Sequence, residues 1–304
     1  MTKLQARNLS LLFMTSLIWG IAFVVQSVAM DYIKPYTYIF SRSIIGGLFL
    51  IPFVMIMSKR EKNINYESYE KNDTINFKFS KTLFIGGALC GIILFVASAF
   101  QQIGILTTTP GKAGFITAFY IIIVPVLGIF LKKKTTIFLW IGVGIALVGL
   151  YFLCMSESLA IKTGDILVFI CAFIFSLHIL VIDYFTVRVD GLKMACIQLW
   201  VCGLIGLFMM LIFETPSLKN ILMAWKPILY GGMLSSGVAY TFQIIGQKDI
   251  NPTVASLVLS FESVFAVISG AIILKQIMTS RETIGCVLMF GAIILAQIPS
   301  KTKD

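Results

Sequence analysis

Residues 101–113, QQIGILTTTPGKA, recur 142 positions later as residues 243–255, QIIGQKDINPTVA. The two stretches share Gln, Ile, Gly, Pro and Ala at equivalent positions, in the same order and at the same spacing. A match of this kind within one chain indicates a duplicated structural unit. It divides the chain into two related units, residues 1–158 and residues 159–304.

The duplication extends toward the start of each unit. There, Trp19 aligns with Phe175, and Arg42 aligns with Gln198, at an offset near 156. The offset falls to 142 further along because the first unit contains a longer polar segment, residues 59–81. Both units therefore contain the same succession of elements.

The composition of the chain is typical of a membrane protein. Of its 304 residues, 58% are hydrophobic and 12% are charged, whereas soluble globular proteins carry about 25% charged residues. The net charge is +10, but the 24 Lys and Arg residues lie almost entirely in short gaps between apolar runs. This distribution indicates membrane topology and not a nucleic-acid-binding surface. We therefore expect no nucleic-acid partner. The six cysteines have no metal-like spacing, so we also expect no metal and no cofactor.

Ten apolar runs are long enough to cross a bilayer, whose core of about 30 Å requires about 20 helical residues. Lipid offers no partners to backbone N–H and C=O groups, so such runs form helices. The sequence therefore predicts an all-α integral membrane protein with ten transmembrane helices, five in each unit. The runs cover residues 9–30, 36–58, 82–106, 112–131, 136–154, 164–186, 193–214, 227–247, 253–274 and 280–298.

The distribution of positive charge predicts the orientation, because cytoplasmic loops carry an excess of Lys and Arg. With the N-terminus in the cytoplasm, the internal segments hold 16 of these cations and the external segments hold 7. We therefore expect a multi-pass plasma-membrane protein with both termini and residues 59–81 in the cytoplasm. Because five is odd, the second unit enters the membrane from the opposite face. Such inverted five-helix repeats are typical of secondary transporters.

Several segments resemble one known family. The stretch TTTPGKAGFITAFYIIIVPVLG (residues 107–128), the Trp19-Gly20 pair, Arg42, and the stretch SFESVFAVISGAIILKQ (residues 260–276) resemble the EamA-type branch of the drug/metabolite transporter superfamily. The resemblance covers nearly the whole chain. It implies a ten-helix carrier with two repeats, commonly an exporter of amino acids or other small metabolites.

Ionisable groups inside a membrane span are costly, so each one is a candidate functional residue. Glu262 lies near the middle of the ninth span, and its repeat counterpart, Tyr120, lies near the middle of the fourth. Either Glu262 carries a coupling proton, or it is neutral and joins two helices by a hydrogen bond. We assign Glu262 to proton coupling, and Tyr120 to substrate binding together with Thr117, which shares its helix face. Ser263 follows Glu262 where the family often has proline, so the sequence does not decide whether the helix bends there.

Four further side chains are predicted to bind substrate, and each has a structural alternative. Arg42 keeps its charge when buried, so it binds an anionic substrate group or a structural partner, or it reaches the membrane interface. His178, the only histidine, either titrates within a site or packs between helices. Trp19 either stacks on substrate or packs, and Gln243 either lines a pathway or joins two helices.

The predicted function is that of a secondary transporter, an exporter of small metabolites such as amino acids that is driven by protons or by exchange. The alternatives are a lipid-carrier flippase and an intramembrane enzyme, although the sequence supplies no nucleophile with a base and no metal set. It also contains no GxxxxGKS/T loop, which argues against an ATP-driven pump. The expected partners are a small-molecule substrate and membrane lipid, with the protein a monomer or a homodimer.

Overall fold

The computed structural model describes residues 2–68, 80–133, 136–154, 162–273 and 279–296. Within these ranges the chain folds into helices joined by short turns, and it contains no β-strand. The predicted boundary between the two units, at residues 158 and 159, lies outside the described residues, as do residues 69–79 of the polar segment.

The described chain contains fourteen α-helices and one π-helix. In chain order they are α1 (Lys3–Ala29), α2 (Pro35–Ser68), α3 (Lys81–Ile105), α4 (Pro110–Thr117), α5 (Tyr120–Phe130), α6 (Ile137–Cys154), α7 (Thr163–Thr186), α8 (Gly191–Phe213), α9 (Leu218–Met223), α10 (Trp225–Leu229), the π-helix (Tyr230–Ala239), α11 (Tyr240–Gly246), α12 (Pro252–Leu259), α13 (Glu262–Ile273) and α14 (Ser280–Ala296).

The helices correspond to the predicted spans, which confirms the all-helical membrane fold. Eight helical stretches are long and apolar enough to cross a membrane, and α4 joins α5, α10 joins α11, and α12 joins α13 in three of them. The predicted fifth and tenth spans correspond to shorter apolar helices, Ile137–Phe152 within α6 and Thr283–Ala292 within α14. The predicted second span ends at residue 58, whereas α2 continues to Ser68. The apolar part ends near Lys59, but the helix-favouring Lys, Arg and Glu residues that follow extend it.

The helices pack mainly across the two units. Helix α6 packs against α14, α2 against α8, and α3 against α7 and α8, while α1 packs against α13, α11 and the π-helix. Large apolar side chains such as Phe84, Phe208 and Ile272 are exposed on the outside, as expected where a protein faces lipid. The centre of the molecule is enclosed by α1, α2, α3, α7 and the segmented fourth, eighth and ninth spans.

A glycine brings α1 and α13 into close contact. A Cβ atom on Gly20 would lie 2.3 Å from the Cβ atom of Phe265 and 2.7 Å from the carbonyl oxygen of Glu262. Only a residue without a side chain allows this approach. In the Trp19-Gly20 pair, Trp19 supplies a large aromatic side chain, and Gly20 leaves the space that lets the ninth span approach α1.

The fourth and ninth spans are each interrupted by a tight turn. Helix α4 gives way to α5 across residues 118–119, and α12 gives way to α13 across residues 260–261, which are 142 positions later. In both turns a backbone N–H bonds the carbonyl group three residues back instead of four. Such 3₁₀ turns inside a helix often mark hinges. The first helical residue after the turn is Tyr120 in one span and Glu262 in the other, so the interruption forms in the ninth span without a proline.

The eighth span contains the π-helix between α10 and α11. Its repeat counterpart, residues 88–97, lies in the uninterrupted helix α3. The carbonyl group of Ser235, within the π-helix, accepts a hydrogen bond of 3.2 Å from the indole N–H of Trp19. The eighth span is therefore irregular at the centre of the molecule, as the fourth and ninth spans are. Segments of π-helix frequently occur at functional sites.

Candidate functional site

A buried cavity lies between the interrupted spans at the centre of the molecule. Six of the predicted site residues line it, and they come from five different spans. The packing of the helices therefore brings side chains of different spans to one cavity. The six are Trp19, Arg42, Thr117, Tyr120, Gln243 and Glu262.

His178 does not line the cavity. Its ring is fully buried behind the cavity wall, where Nε2 lies 3.2 Å from Oε1 of Gln198. The His178 ring also contacts the rings of Phe175 and Tyr240 edge-on, at 6.3 and 6.0 Å between centroids. The structure therefore separates His178 from the other six candidates, and its assignment to substrate binding stays a prediction.

The two tight turns meet at Tyr120 and Glu262. The Tyr120 hydroxyl donates a hydrogen bond of 2.9 Å to Oε1 of Glu262, and each side chain is only 3% exposed. A second bond of 2.9 Å, from the Ser263 hydroxyl to the carbonyl oxygen of Gly114, joins the same two spans. A phenol hydroxyl can donate to a carboxyl group in either protonation state and can also accept from it. The contact with Tyr120 therefore does not restrict Glu262 to one state.

Arg42 brings a positive charge to the cavity. Its side chain is 5% exposed, its Nη2 donates a hydrogen bond of 2.8 Å to the Ser98 hydroxyl, and its guanidinium carbon lies 5.4 Å from the ring centroid of Tyr38. No described carboxylate lies within ion-pair distance of it. The burial of the Arg42 side chain argues against the alternative that it reaches water at the membrane interface. Because a guanidinium group binds carboxylate and phosphate groups strongly, Arg42 is suited to an anionic group of a ligand.

Aromatic rings form another wall of the cavity. The rings of Trp19 and Tyr240 are 4.9 Å apart between centroids, and Phe175 also lines the cavity. The hydrogen bond from Trp19 to Ser235 holds the indole ring in place. The only sequence signal for Phe175 was its alignment with Trp19, and Tyr240 had none because aromatic residues are common in membrane spans.

Amide side chains complete the polar lining. Gln101 donates a hydrogen bond of 3.3 Å to the Thr117 hydroxyl, whereas Oε1 of Gln243 has no hydrogen-bond partner among the described residues. Gln26 also lines the cavity, although the sequence analysis did not select it. The geometry therefore brings Gln243 to the cavity wall, where a free carbonyl oxygen can accept a hydrogen bond from a ligand.

Repeat counterparts line the cavity in pairs, and the chemistry of the two units differs there. Where the first unit contributes a tryptophan and a tyrosine, the second contributes a phenylalanine and a carboxyl group. The cavity therefore lies where the two units meet, but its two halves are not chemically equivalent. The counterparts that line it are Trp19 with Phe175, Phe23 with Ile179, Gln101 with Gln243, Thr117 with Leu259, and Tyr120 with Glu262.

Interrupted helices around a central cavity are the architecture by which membrane carriers form a binding site. In this protein the interruptions lie beside Tyr120 and Glu262, and both side chains line the cavity. The fold and the cavity together define a membrane transporter.

The chain belongs to the EamA-like transporter family, whose sequence profile matches residues 7–155 and again residues 162–297. It is 26% identical over 293 residues to an uncharacterized transporter of Archaeoglobus fulgidus, with 94% of this chain and 84% of that protein covered. It is 23% identical over 286 residues to the uncharacterized transporter YoaV of Bacillus subtilis, with 92% and 93% covered. A protein of known crystal structure aligns over 96% of each chain with a TM-score of 0.75 and 16% identity, which shows a likeness of fold alone. The resemblance inferred from the sequence is confirmed.

Proposed function

We propose that this protein is a proton-coupled or exchange-driven secondary transporter that exports small carboxylate-bearing metabolites, such as amino acids, across the plasma membrane. The observation that carries the proposal is the presence of two groups in one buried cavity. These are the guanidinium group of Arg42, which has no carboxylate partner among the described residues, and the carboxyl group of Glu262, bonded to Tyr120. The first suits an anionic substrate group and the second suits a coupling proton.

An amino acid matches the remaining lining of the cavity. Its carboxylate would pair with Arg42, and its amino group would donate to the free Oε1 of Gln243 and lie against the faces of Trp19 and Tyr240, which attract cations. The same aromatic wall would accept an apolar or aromatic side chain. Thr117 and Tyr120 supply hydroxyl groups at the turn of the fourth span.

Glu262 would couple transport to protons through the shared cavity. In a buried site of low dielectric, the charge on Glu262 and the charges of a bound substrate interact strongly. Substrate binding and protonation therefore change each other's free energy, which is the requirement for coupling. Tyr120 can remain bonded to Glu262 throughout, because its hydroxyl both donates and accepts.

The proposed architecture is a carrier of ten spans in two inverted five-helix repeats, with both termini in the cytoplasm. It counts α6 and α14 as full spans, and it is supported by the charge distribution and by the repeated tight turns. The 3₁₀ turns would act as hinges as the cavity opens alternately to the two sides. One chain contains both units, so a monomer suffices for the pathway and a homodimer is compatible with it. The partners would be the small-molecule substrate and membrane lipid, without nucleic acid.

Glu262→Gln in proteoliposomes tests the proposal. The purified protein is supplied with radiolabelled amino acids, nucleosides and cationic drugs under an imposed pH gradient and, separately, under exchange conditions. Glutamine keeps the size and hydrogen-bonding capacity of a protonated glutamate but cannot release a proton. We expect the variant to lose gradient-driven transport and to retain exchange.

The matched control is Asp183→Asn, which makes the same carboxyl-to-amide change at a pair with Lys133 outside the cavity. It should keep both activities. Loss of both activities in Glu262→Gln alone would assign Glu262 to substrate binding instead of coupling, and unchanged gradient-driven transport would remove it from the mechanism. A wild-type protein that transports no carboxylate-bearing compound of the panel would overturn the proposed substrate class.

A further inference from the structure

His178 and Gln198 form a second buried polar pair outside the cavity. Both side chains are 0% exposed, and each has an atom, Nδ1 of His178 and Nε2 of Gln198, without a hydrogen-bond partner among the described residues. The amide group of Gln198 can be oriented in two ways, and each orientation requires its own tautomer of His178. In both cases the bond between the two side chains leaves at least one donor and one acceptor unused. Buried polar groups are costly without partners. The pair is therefore suited to a ligand that accepts one hydrogen bond and donates another.

The pair lies directly behind the cavity wall. The His178 ring contacts Phe175 and Tyr240 edge-on, and both of these rings line the cavity. One layer of aromatic side chains therefore separates the pair from the cavity. A rotation of these rings or a shift of α7 against α11 would open a path between them.

The repeat relates the pair to residues that already line the cavity. Gln198 is the counterpart of Arg42, and at the same offset of 156 His178 is the counterpart of Ala22. Both Arg42 and Ala22 line the cavity. The second unit thus holds its polar pair at the positions that the first unit exposes to the cavity.

We infer that His178 and Gln198 form a second substrate subsite, which the cavity reaches when the carrier opens to the opposite side. The inference rests on the proposed function. In a carrier of two inverted repeats, one repeat rocks against the other between the two access states, so the wall in front of Gln198 would open as the wall beside Arg42 closes. An amino acid matches the free atoms of the pair, because its carboxylate accepts a hydrogen bond and its amino group donates one.

The depth of the two sites predicts which side each one serves. Arg42 lies seven residues from the start of α2, and Gln198 lies seven residues from the start of α8. These two helices begin on opposite sides in the proposed topology. The subsite of His178 and Gln198 would therefore receive substrate from the cytoplasm, and Arg42 would hold it on the external side.

The test compares the two faces of the membrane. Gln198→Leu and His178→Phe keep the approximate size of each side chain and remove its hydrogen-bonding atoms. Exchange of a radiolabelled neutral amino acid that the wild type transports is measured in oriented vesicles, with substrate added to either face. We expect the cytoplasmic KM to rise about tenfold, as when a bound polar group loses its partner, while the external KM changes less than about twofold, within the variation of a residue that makes no contact.

The matched control is Gln247→Leu. Gln247 is another fully buried glutamine, and its Nε2 donates a hydrogen bond of 3.0 Å to the carbonyl oxygen of Ile179. Loss of this hydrogen bond in Gln247→Leu should reduce the amount of folded protein, but it should not make the KM differ between the two faces of the membrane. If Gln198→Leu is inactive from both faces, Gln198→Asn, which keeps a shorter amide, replaces it under the same criterion.

Each result decides the inference. An increase in KM confined to the cytoplasmic face supports the subsite. Equal changes of KM at both faces, or no change of KM at either face, would overturn the subsite. The proposed function would remain supported in that case, because it depends on transport by the wild-type protein. A wild-type protein that exchanges no neutral amino acid would overturn the subsite, whereas the proposed function would be overturned only if no carboxylate-bearing compound of the panel were transported.

Discussion

Two junctions at opposite ends of the molecule have the same plan but different chemistry. At one end the start of α7 packs against the turn after α3, where a Cβ atom on Gly164 would lie 2.4 Å from the carbonyl oxygen of Gly104. At the other end the start of α1 packs against the turn after α11, where a Cβ atom on Gly246 would lie 2.9 Å from the carbonyl oxygen of Asn8. Gly104 and Gly246 are repeat counterparts, and so are Gly164 and Asn8. The duplication has preserved the close approach of backbone to backbone.

The first junction is held by a carboxylate. Oδ1 of Asp165 accepts a hydrogen bond of 2.6 Å from the Thr108 hydroxyl, Oδ2 accepts one of 2.8 Å from the backbone N–H of Lys162, and Lys112 forms an ion pair of 2.5 Å with it. Hydrogen bonds to a charged group are stronger than neutral ones. Asp165 therefore fastens the turn after α3 to the start of α7 through several bonds at once.

The second junction is held by an amide. Nδ2 of Asn8 donates a hydrogen bond of 2.6 Å to the carbonyl oxygen of Lys248, and no described carboxylate forms an ion pair at this end of α1. The comparison teaches that a duplicated fold keeps its packing while the strength of each contact changes independently. We expect the junction at Asn8 to open at a lower free-energy cost than the junction at Asp165.

Gly164→Val should have the largest effect on stability. The new side chain would collide with the backbone oxygen of Gly104, which cannot move without displacing α3, and overpacking of this kind costs about 1–3 kcal/mol or more. The loss of stability is measured as a fall in the melting temperature of the protein in detergent. Unfolding is followed with a thiol-reactive dye, which reaches the buried cysteines only when the protein unfolds. Gly144→Val is the control, because a Cβ atom there meets nothing within 4 Å. Equal shifts for the two variants would contradict the close approach.

Asp165→Asn should have an intermediate effect. Asparagine keeps an acceptor for Thr108 but loses the charge that pairs with Lys112, a loss of about 1–3 kcal/mol for a charge-assisted bond that is largely buried. The same melting measurement applies. Asp183→Asn breaks a more exposed pair and should cost about 0–1 kcal/mol. If the two variants have equal melting temperatures, the ion pair of Asp165 does not stabilise the protein more than the ion pair of Asp183.

Asn8→Ala should have the smallest effect of the three junction variants. It removes the one neutral hydrogen bond that crosses the junction, to the Lys248 carbonyl group, which is worth about 0.5–1.5 kcal/mol. It also removes two bonds that Arg7, the preceding residue, donates to Oδ1 of Asn8, but these do not cross the junction. The melting temperature should fall less than in Asp165→Asn. A larger fall would reverse the ranking of the two junctions and, with it, the expectation that this end opens more easily.

Most of the candidate site could be predicted from single residues. A charged or amide side chain within an apolar span has few favourable places other than the interior, and this applied to Arg42, Gln243 and Glu262, which all line the cavity. The same rule selected His178, but it cannot distinguish a cavity from the space between two helices. The contact of His178 with Gln198 depends on how α7 and α8 pack, and no local pattern contains that information.

Glu214 makes a structural contact that no pattern in the sequence indicated. Its two carboxylate oxygens accept hydrogen bonds of 2.8 Å from the backbone N–H groups of Tyr36 and Thr37 at the start of α2. The first N–H groups of a helix need such acceptors, but here the acceptor is supplied by the end of α8. In the sequence, Glu214 is only an acidic residue at the end of a predicted span, and its partner is 177 positions away.

The sequence by itself determined the membrane-embedded helices and the duplication, because hydropathy over about 20 residues and the spacing of repeated residues are properties of the chain alone. Only the tertiary structure decided where a helix tightens or widens, as in the turns before Tyr120 and Glu262 and in the π-helix Tyr230–Ala239. In lipid every backbone group must find a partner, and α, 3₁₀ and π turns all provide one. The choice among them therefore depends on contacts between helices, such as the hydrogen bonds from Trp19 to Ser235 and from Tyr120 to Glu262.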